Sequence, residues 1–312
     1  MTPARVSRRS ALGLAAGLSL SLLIPGRAAA DPRISGLRYT LTSFTNDSET
    51  DLYVYESGDA TNFQLLRAQA YTPPGGLLRD PSMFRHVDGS YYLTYTTGWE
   101  GHTIGFARST DRLTWTHLYD YDVPMPDIVN CWAPEWFIAP DGRVGVIVSL
   151  YHDHRFTPYL MTATDTSLRT WTPLARLAGL APPPDDTESD GYIDTTVIVH
   201  NGRFYAFTKQ ESTKFVELAV ADEPTGPYSF IGTGDWAGWG GPREGQSVTR
   251  LPDGGWRIFL DAYLEGKYYY SDSYDDFATW TPPRELPGLS GIVRHGTIFI
   301  ENDGPATTPH PA

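Results

Sequence analysis

The chain has 312 residues, a formal net charge of −13 and a single cysteine, Cys131. So acidic a surface disfavours nucleic acid and anionic membranes as partners and leaves neutral ligands open. One thiol cannot form an internal disulfide, and with 13% aromatic residues, 30 Gly and 25 Pro the composition reads as rich in strands and turns.

The first thirty residues read as a targeting segment. Arg8–Arg9 precede an apolar run over Ala11–Ile24, and Ala28-Ala29-Ala30 is a small-residue cleavage site. The paired arginines point to the twin-arginine route, and the run is short for a span of about 20 residues. The expectation is a signal peptide over 1–30 and a secreted protein that leaves the membrane on cleavage. Cleavage removes Arg5, Arg8, Arg9 and Arg27 and no acid, taking the charge to −17.

From there a pattern repeats. Turn pairs stand at Asp88–Gly89, Asp141–Gly142, Asn201–Gly202 and Asp253–Gly254. Each opens a strand (YYLTYTT, VGVIVSL, FYAFTKQ, WRIFLDAY), and each strand is followed by a partner (TIGFARS, PYLMTATD, VELAVAD, KYYYSDS). Asp-Gly and Asn-Gly between such strands are strong hairpin signals. A second marker trails the first: Ser109-Thr-Asp-Arg-Leu-Thr-Trp115 is echoed at Thr164–Trp171 and Ser271–Trp280, and more weakly at Glu56–Phe63 and Ala221–Tyr228. A period of about 40–55 residues with four strands per period suits a propeller blade.

The ends complete the count. Leu37–Asn46 and Asp51–Glu56 read as middle strands of a blade without its first strand, and Arg294–Glu301 reads as a first strand without a blade. The expected fold is all-β: a five-bladed β-propeller of four-stranded antiparallel blades, closed by pairing of N- and C-terminal strands. It is expected to be one monomeric domain over 31–304, with Ala181–Ser189 as a loop between blades and 305–312 as a disordered tail.

In a propeller the first strand of each blade lines the central channel. Those strands begin Arg79-Asp80-Pro81-Ser82, Trp132-Ala133-Pro134-Glu135, Ile193-Asp194-Thr195-Thr196, Glu244-Gly245-Gln246-Ser247 and Arg294-His295-Gly296-Thr297. Similar distances to the following turn place Asp80, Asp194, Glu244 and His295 at one depth. Three carboxylates and a histidine in a closed ring are costly unless used, because burial and like charge oppose ionisation. Glycoside hydrolysis uses such a set: one carboxyl group protonates the leaving oxygen while another activates water or attacks the sugar.

The segments LRDPSMF, TTGWEGHTIGFARSTDRLTW, NCWAPEWF, YIDTTVIV, REGQSV and IVRHGTI span nearly the whole mature chain. In that order they resemble glycoside hydrolase family 43, the five-bladed arabinofuranosidases, xylosidases and arabinanases. The resemblance implies Asp80 as general base and Glu244 as general acid, with Asp194 orienting the acid and raising its pKa. It implies inversion, a carbohydrate substrate and His295 at the channel centre, either bonded to water or beside a structural cation such as calcium. No cofactor is expected to be required. One departure is Gln246, where the family usually has the proline of Glu-Gly-Pro.

The leading expectation is an exo-acting α-L-arabinofuranosidase, then a β-xylosidase. An arabinanase, an exo-galactanase and a non-catalytic carbohydrate-binding propeller are the alternatives. Trp115, Trp171 and Trp280 repeat in register and read as blade packing. Trp99, Trp132, Trp136, Trp236 and Trp239 break the repeat, and some of these five, Trp99, Trp132 and Trp239 first, are expected to contact sugar, with Glu135, Arg294 and His295; Arg79 is a further candidate. His152-Asp153-His154 reads as a polar loop rather than a metal site, and Cys131, beside Trp132 and Trp136, as a buried thiol.

Overall fold

The computed structural model describes residues 36–182 and 186–302. The expected signal peptide, the tail over 305–312 and part of the Ala181–Ser189 loop lie outside them. Among the described residues no helix forms, and twenty strands make five four-stranded antiparallel sheets. Blade I holds β1 (Leu37–Thr45), β2 (Ser48–Ser57) and β3 (Gln64–Tyr71). Blade II holds β4 (Arg79–Arg85), β5 (Tyr91–Thr96), β6 (Thr103–Ser109) and β7 (Trp115–Asp122). Blade III holds β8 (Asn130–Ile138), β9 (Val144–His152), β10 (Arg155–Thr162) and β11 (Ala175–Arg176). Blade IV holds β12 (Tyr192–His200), β13 (Arg203–Gln210), β14 (Val216–Ala221) and β15 (Ser229–Gly232). Blade V holds β16 (Glu244–Arg250), β17 (Trp256–Ala262), β18 (Lys267–Ser273) and β19 (Arg284–Glu285). The last strand, β20 (Val293–Asn302), returns to pair with β1 from Leu37↔Asn302 to Thr45↔Val293 and completes blade I. The inner strands neighbour one another in the cyclic order β20, β4, β8, β12, β16.

The hairpin turns form where Asp-Gly pairs stand. The aspartate carboxylate accepts the N–H two residues on, Ser90 from Asp88 at 2.8 Å and Gly255 from Asp253 at 3.1 Å. The trailing marker is a polar turn of its own. Ser109 Oγ donates to Asp111 Oδ1, which also accepts the N–H groups of Leu113 and Thr114. Ser57/Asp59 and Ser273/Asp275 begin in the same way. The repeat therefore marks a self-contained hydrogen-bonded corner between the third and fourth strands. His152-Asp153-His154-Arg155 is a tight hairpin turn, with Asp153 at φ +53° and His154 at φ +65°.

Five apolar layers lie between adjacent blades. Leu52, Val54, Leu93 and Tyr95 join blades I and II; Ile104, Phe106, Val146 and Val148 join II and III; Phe207, Leu218, Ile258 and Leu260 join IV and V. Each fully buried Leu, Val or Phe contributes about 1.5–3 kcal/mol relative to exposure. Sandwiching explains why middle strands such as β5 are buried along their whole length rather than on alternate residues. Gly105, paired with Tyr95, leaves room for that ring: a Cβ there would lie 2.1 Å from Tyr95 Cζ. Cys131 is buried in the layer between blades II and III, as expected for an inert thiol.

Candidate active site

Each inner strand carries the same irregularity. Pairing slips between Arg79 and Ser82, Trp132 and Glu135, Ile193 and Thr196, and Glu244 and Ser247, and a slip on β20 falls between Arg294 and Thr297. The second residue of each bulge has positive φ: Asp80 +50°, Ala133 +48°, Asp194 +54°, Gly245 +55° and His295 +32°. Such bulges re-aim side chains, and left-handed backbone at non-glycine residues persists only where the surroundings enforce it. The register corrects one expectation. Asp80, Asp194 and His295 are equivalent, but Glu244 stands one position earlier, level with Arg79, Trp132, Ile193 and Arg294. Gly245 takes the left-handed position, and a Cβ on it would lie 2.6 Å from His295 Cγ.

These residues converge on a pocket of about 340 Å³. Asp80, Asp194, Glu244, His295, Arg294, Trp99 and Trp132 line it, joined by Glu49, Arg79, Thr96, Lys209, Glu211 and Tyr263. Asp80 Oδ2 accepts the Thr96 hydroxyl at 2.7 Å, and its Oδ1 lies 3.0 Å from His295 Nδ1. Asp194 Oδ2 accepts the Gly245 N–H at 3.1 Å and is 4.0 Å from His295 Nδ1. Glu244 takes Lys209 Nζ at 2.9 Å on one oxygen and Arg294 at 3.4 Å on the other. Arg294 Nε is fixed by Asp261 Oδ2 at 2.8 Å, and Asp261 also accepts the His295 backbone N–H. Trp99 is 52% exposed at the rim, with Arg79 stacked 4.0 Å from its ring and Trp132 edge-on at 6.0 Å.

A family model described as a probable glycosyl hydrolase domain related to family 43 matches residues 37–301. The chain belongs to this glycosyl hydrolase group. Solved structures agree on the fold. An endo-1,4-β-xylanase from Bacteroides thetaiotaomicron superposes with a TM-score of 0.64 at 15% identity, covering 83% of this chain and 93% of its own. A thermostable family 43 glycoside hydrolase gives 0.60 at 19%, over 88% and 91%. The Bacillus subtilis arabinanase gives 0.51 at 18%, over 70% and 80%. No curated protein matches by sequence.

In this family-43-related propeller, two of the residues expected to bind sugar lie away from the pocket. Trp239 is 3% exposed in the core between blades IV and V, packed on Trp236 and Trp280 at 5.4 and 5.2 Å. It falls outside the repeat of Trp115, Trp171 and Trp280, but its ring completes the aromatic layer between these blades. Glu135 is absent from the pocket lining and stands two residues beyond the left-handed position. Its carboxylate accepts the Thr196 hydroxyl at 2.7 Å. Gln246 uses the donor that a proline would lack: its Nε2 donates to the backbone carbonyls of Asp194 and Phe207. Sequence reasoning missed Lys209, Glu211 and Tyr263. The one available signal was a lysine inside the otherwise apolar strand FYAFTKQ.

The charges are graded by their neighbours. Burial favours a neutral Asp80, but His295 outweighs it, with Arg79 and Thr96 adding to the effect, and holds the carboxyl below the usual range. Burial likewise opposes the His295 charge, and Asp80 and then Asp194 overcome it, raising the imidazole to about 10. Asp194 is pushed up by burial, partly offset by His295 and Lys209. Burial raises Glu135 to about 7. The pocket thus offers Asp80, a carboxylate held ionised, beside Asp194, a carboxyl that keeps its proton more readily, the kind of inequality that acid–base chemistry uses. Among the described residues no three His, Cys, Asp or Glu side chains are grouped to hold a metal. The imidazolium supplies positive charge between Asp80 and Asp194.

Proposed function

We propose that the protein is an exported, inverting glycoside hydrolase that removes terminal sugars, α-L-arabinofuranosyl first and β-xylosyl next, from plant-type polysaccharides or oligosaccharides. The observation that carries this reading is the convergence of Asp80, Asp194 and Glu244 in one pocket of the family's propeller. In it Asp80, held ionised by His295 and Thr96, takes a proton from a water molecule whose oxygen attacks the anomeric carbon. The glycosidic C–O bond breaks as Glu244 gives a proton to the leaving oxygen, and solvent restores both groups. Asp194 orients the acid through the N–H of Gly245, the residue next to Glu244.

A pocket of about 340 Å³ is at the small end for ligand sites, which favours one sugar unit and exo action. Trp99, half-exposed at the rim, suits stacking against the next unit. The paired arginines and small-residue site near the start support export, and the reading is of a monomer needing no cofactor. The test is sugar release from nitrophenyl α-L-arabinofuranoside, β-D-xyloside and β-D-galactoside, with Asp80→Asn as control. Activity on one that is lost in the variant is the expected result. Silence on all three opposes exo action, and dye-linked arabinan then tests for an endo-arabinanase.

A further inference from the structure

One position on the second strand of each blade stands across from the residue that precedes the left-handed one. The pairs are Arg79 with Thr96, Trp132 with Ser149, Ile193 with Lys209, Glu244 with Asp261 and Arg294 with Phe44. In blades II and III a hydroxyl at this position accepts the left-handed N–H of the following blade, Thr96 from Ala133 at 2.9 Å and Ser149 from Asp194 at 3.1 Å. Asp261 of blade V does the same for His295 at 2.9 Å. It is 0% exposed, a fully buried carboxylate where a hydroxyl serves elsewhere.

Burying a carboxylate for a bond that a hydroxyl can make is costly, so the charge has a second use. Asp261 Oδ2 also takes Arg294 Nε, at 2.8 Å. Both bonds fall on that one oxygen, and Oδ1 is buried without a hydrogen-bond partner among the described residues. Arg294 in turn reaches Glu244 Oε1 at 3.4 Å, while Lys209 holds Oε2 at 2.9 Å. The Glu244 carboxyl is gripped on both oxygens, and the grip on Oε1 is anchored in Asp261. The Phe44 ring lies 5.4 Å from the guanidinium but offers no acceptor. Stacking leaves a planar guanidinium free to turn, whereas a charge-assisted bond at Nε fixes that turn.

We propose that Asp261 is a positioning residue that, through Arg294, sets the direction of the Glu244 carboxyl toward the glycosidic oxygen. The proposal rests on the reading of Glu244 as acid. Asp261 is absent from the pocket lining, so it acts through Arg294 and not on the sugar. A misplacement of about 1 Å at a reacting group is enough to slow a reaction about 10²-fold. His295 needs from Asp261 only an acceptor, which a hydroxyl in its place supplies.

The test follows kcat of the wild type, Asp261→Thr, Asp261→Ser and Asp261→Asn on 1,5-arabinobiose or xylobiose and on the matching nitrophenyl glycoside. The hydroxyl variants reproduce Thr96 and Ser149: they keep the His295 bond and release Arg294. Asparagine keeps one oxygen for both donors. The hydroxyl variants are expected to lose about tenfold or more on the disaccharide and about twofold at most on the nitrophenyl glycoside, where the acid matters little. Asp261→Asn stays within about threefold on both. The ratio between the two substrates is independent of how much of a variant folds. Equal slowing of both substrates in the hydroxyl variants, or slowing of neither, overturns the proposal. So does an Asp261→Asn loss on the disaccharide as large as theirs. If neither hydroxyl variant folds, the carboxylate serves the fold and the proposal falls. If Glu244→Ala loses equally on both substrates, the acid reading itself falls. If Glu244→Ala separates the substrates and the hydroxyl variants do not, only the positioning role falls. Absence of cleavage with both sugars overturns the two together.

Discussion

His295 Nδ1 lies 3.0 Å from Asp80 Oδ1, a buried ion pair between the strand that closes the ring and the first strand of the next blade. Both groups are at most 7% exposed, so removing His295 leaves the buried Asp80 charge with only the Thr96 hydroxyl and the more distant Arg79. His295→Ala is expected to lower the unfolding free energy by about 3–5 kcal/mol at pH 6. The imidazole is raised from 6.5 to about 10 on folding, so its contribution is complete below pH 6.5 and is lost as pH rises through 10. Urea unfolding of wild type and variant at pH 6 and pH 10 checks this. The gap between them should narrow at the higher pH, and a constant gap contradicts the charged pair.

Glu244→Ala should lose more on natural linkages than on nitrophenyl glycosides. A general acid contributes typically about 10²–10⁴-fold, and a good leaving group needs little of it. The measurement is kcat/KM for the same sugar on both kinds of leaving group. Equal losses count against the acid role.

Glu135→Gln is expected to stabilise the protein at neutral pH. Burial, with a smaller contribution from Asp194, raises the Glu135 carboxyl from 4.5 to about 7, against the pull of Thr196 and His295. From pH 4.5 upward the unfolded chain ionises while the folded chain keeps its proton, so stability is lost up to pH 7 and no further beyond it. The amide escapes that cost and keeps an acceptor for Thr196. A gain of about 1–3 kcal/mol at pH 8, vanishing near pH 4, is the expected outcome in urea unfolding. A loss at pH 8 shows that the ionised form is required.

Gly245→Ala should cost both stability and turnover. Gly245 has φ +55°, and a new Cβ would lie 2.6 Å from His295 Cγ and 2.9 Å from its Cα. Left-handed backbone at a non-glycine residue costs of order 1–3 kcal/mol, and the clash pushes His295 away from Asp80. Thermal unfolding and kcat should fall together. A variant with lowered stability but full kcat shows that the spacing between Gly245 and His295 does not matter to the pocket.

The blade count was legible because the turn chemistry is local. Asp-Gly pairs and the Ser109–Trp115 corner satisfy their own hydrogen bonds, so their sequences repeat wherever the corner repeats. Asp80, Asp194, Glu244 and His295 were legible for a different reason: charged residues stand where inner strands otherwise bury apolar or hydroxyl groups. The one-residue offset of Glu244 was not legible, because its bulge places Gly245 at the left-handed position. Trp239 was misread since a tryptophan among glycines carries no sign of which face it packs. Lys209 was missed because its role depends on Glu211 and Glu244, which approach it only through the fold.

The account turns on Asp80 activating water opposite Glu244, and the stereochemistry of the product tests that most directly. Proton NMR of the first sugar released from a nitrophenyl glycoside, recorded before mutarotation, shows which anomer forms. The account predicts the inverted anomer. The retained anomer contradicts it, because Asp80 would then attack the sugar instead of activating a water.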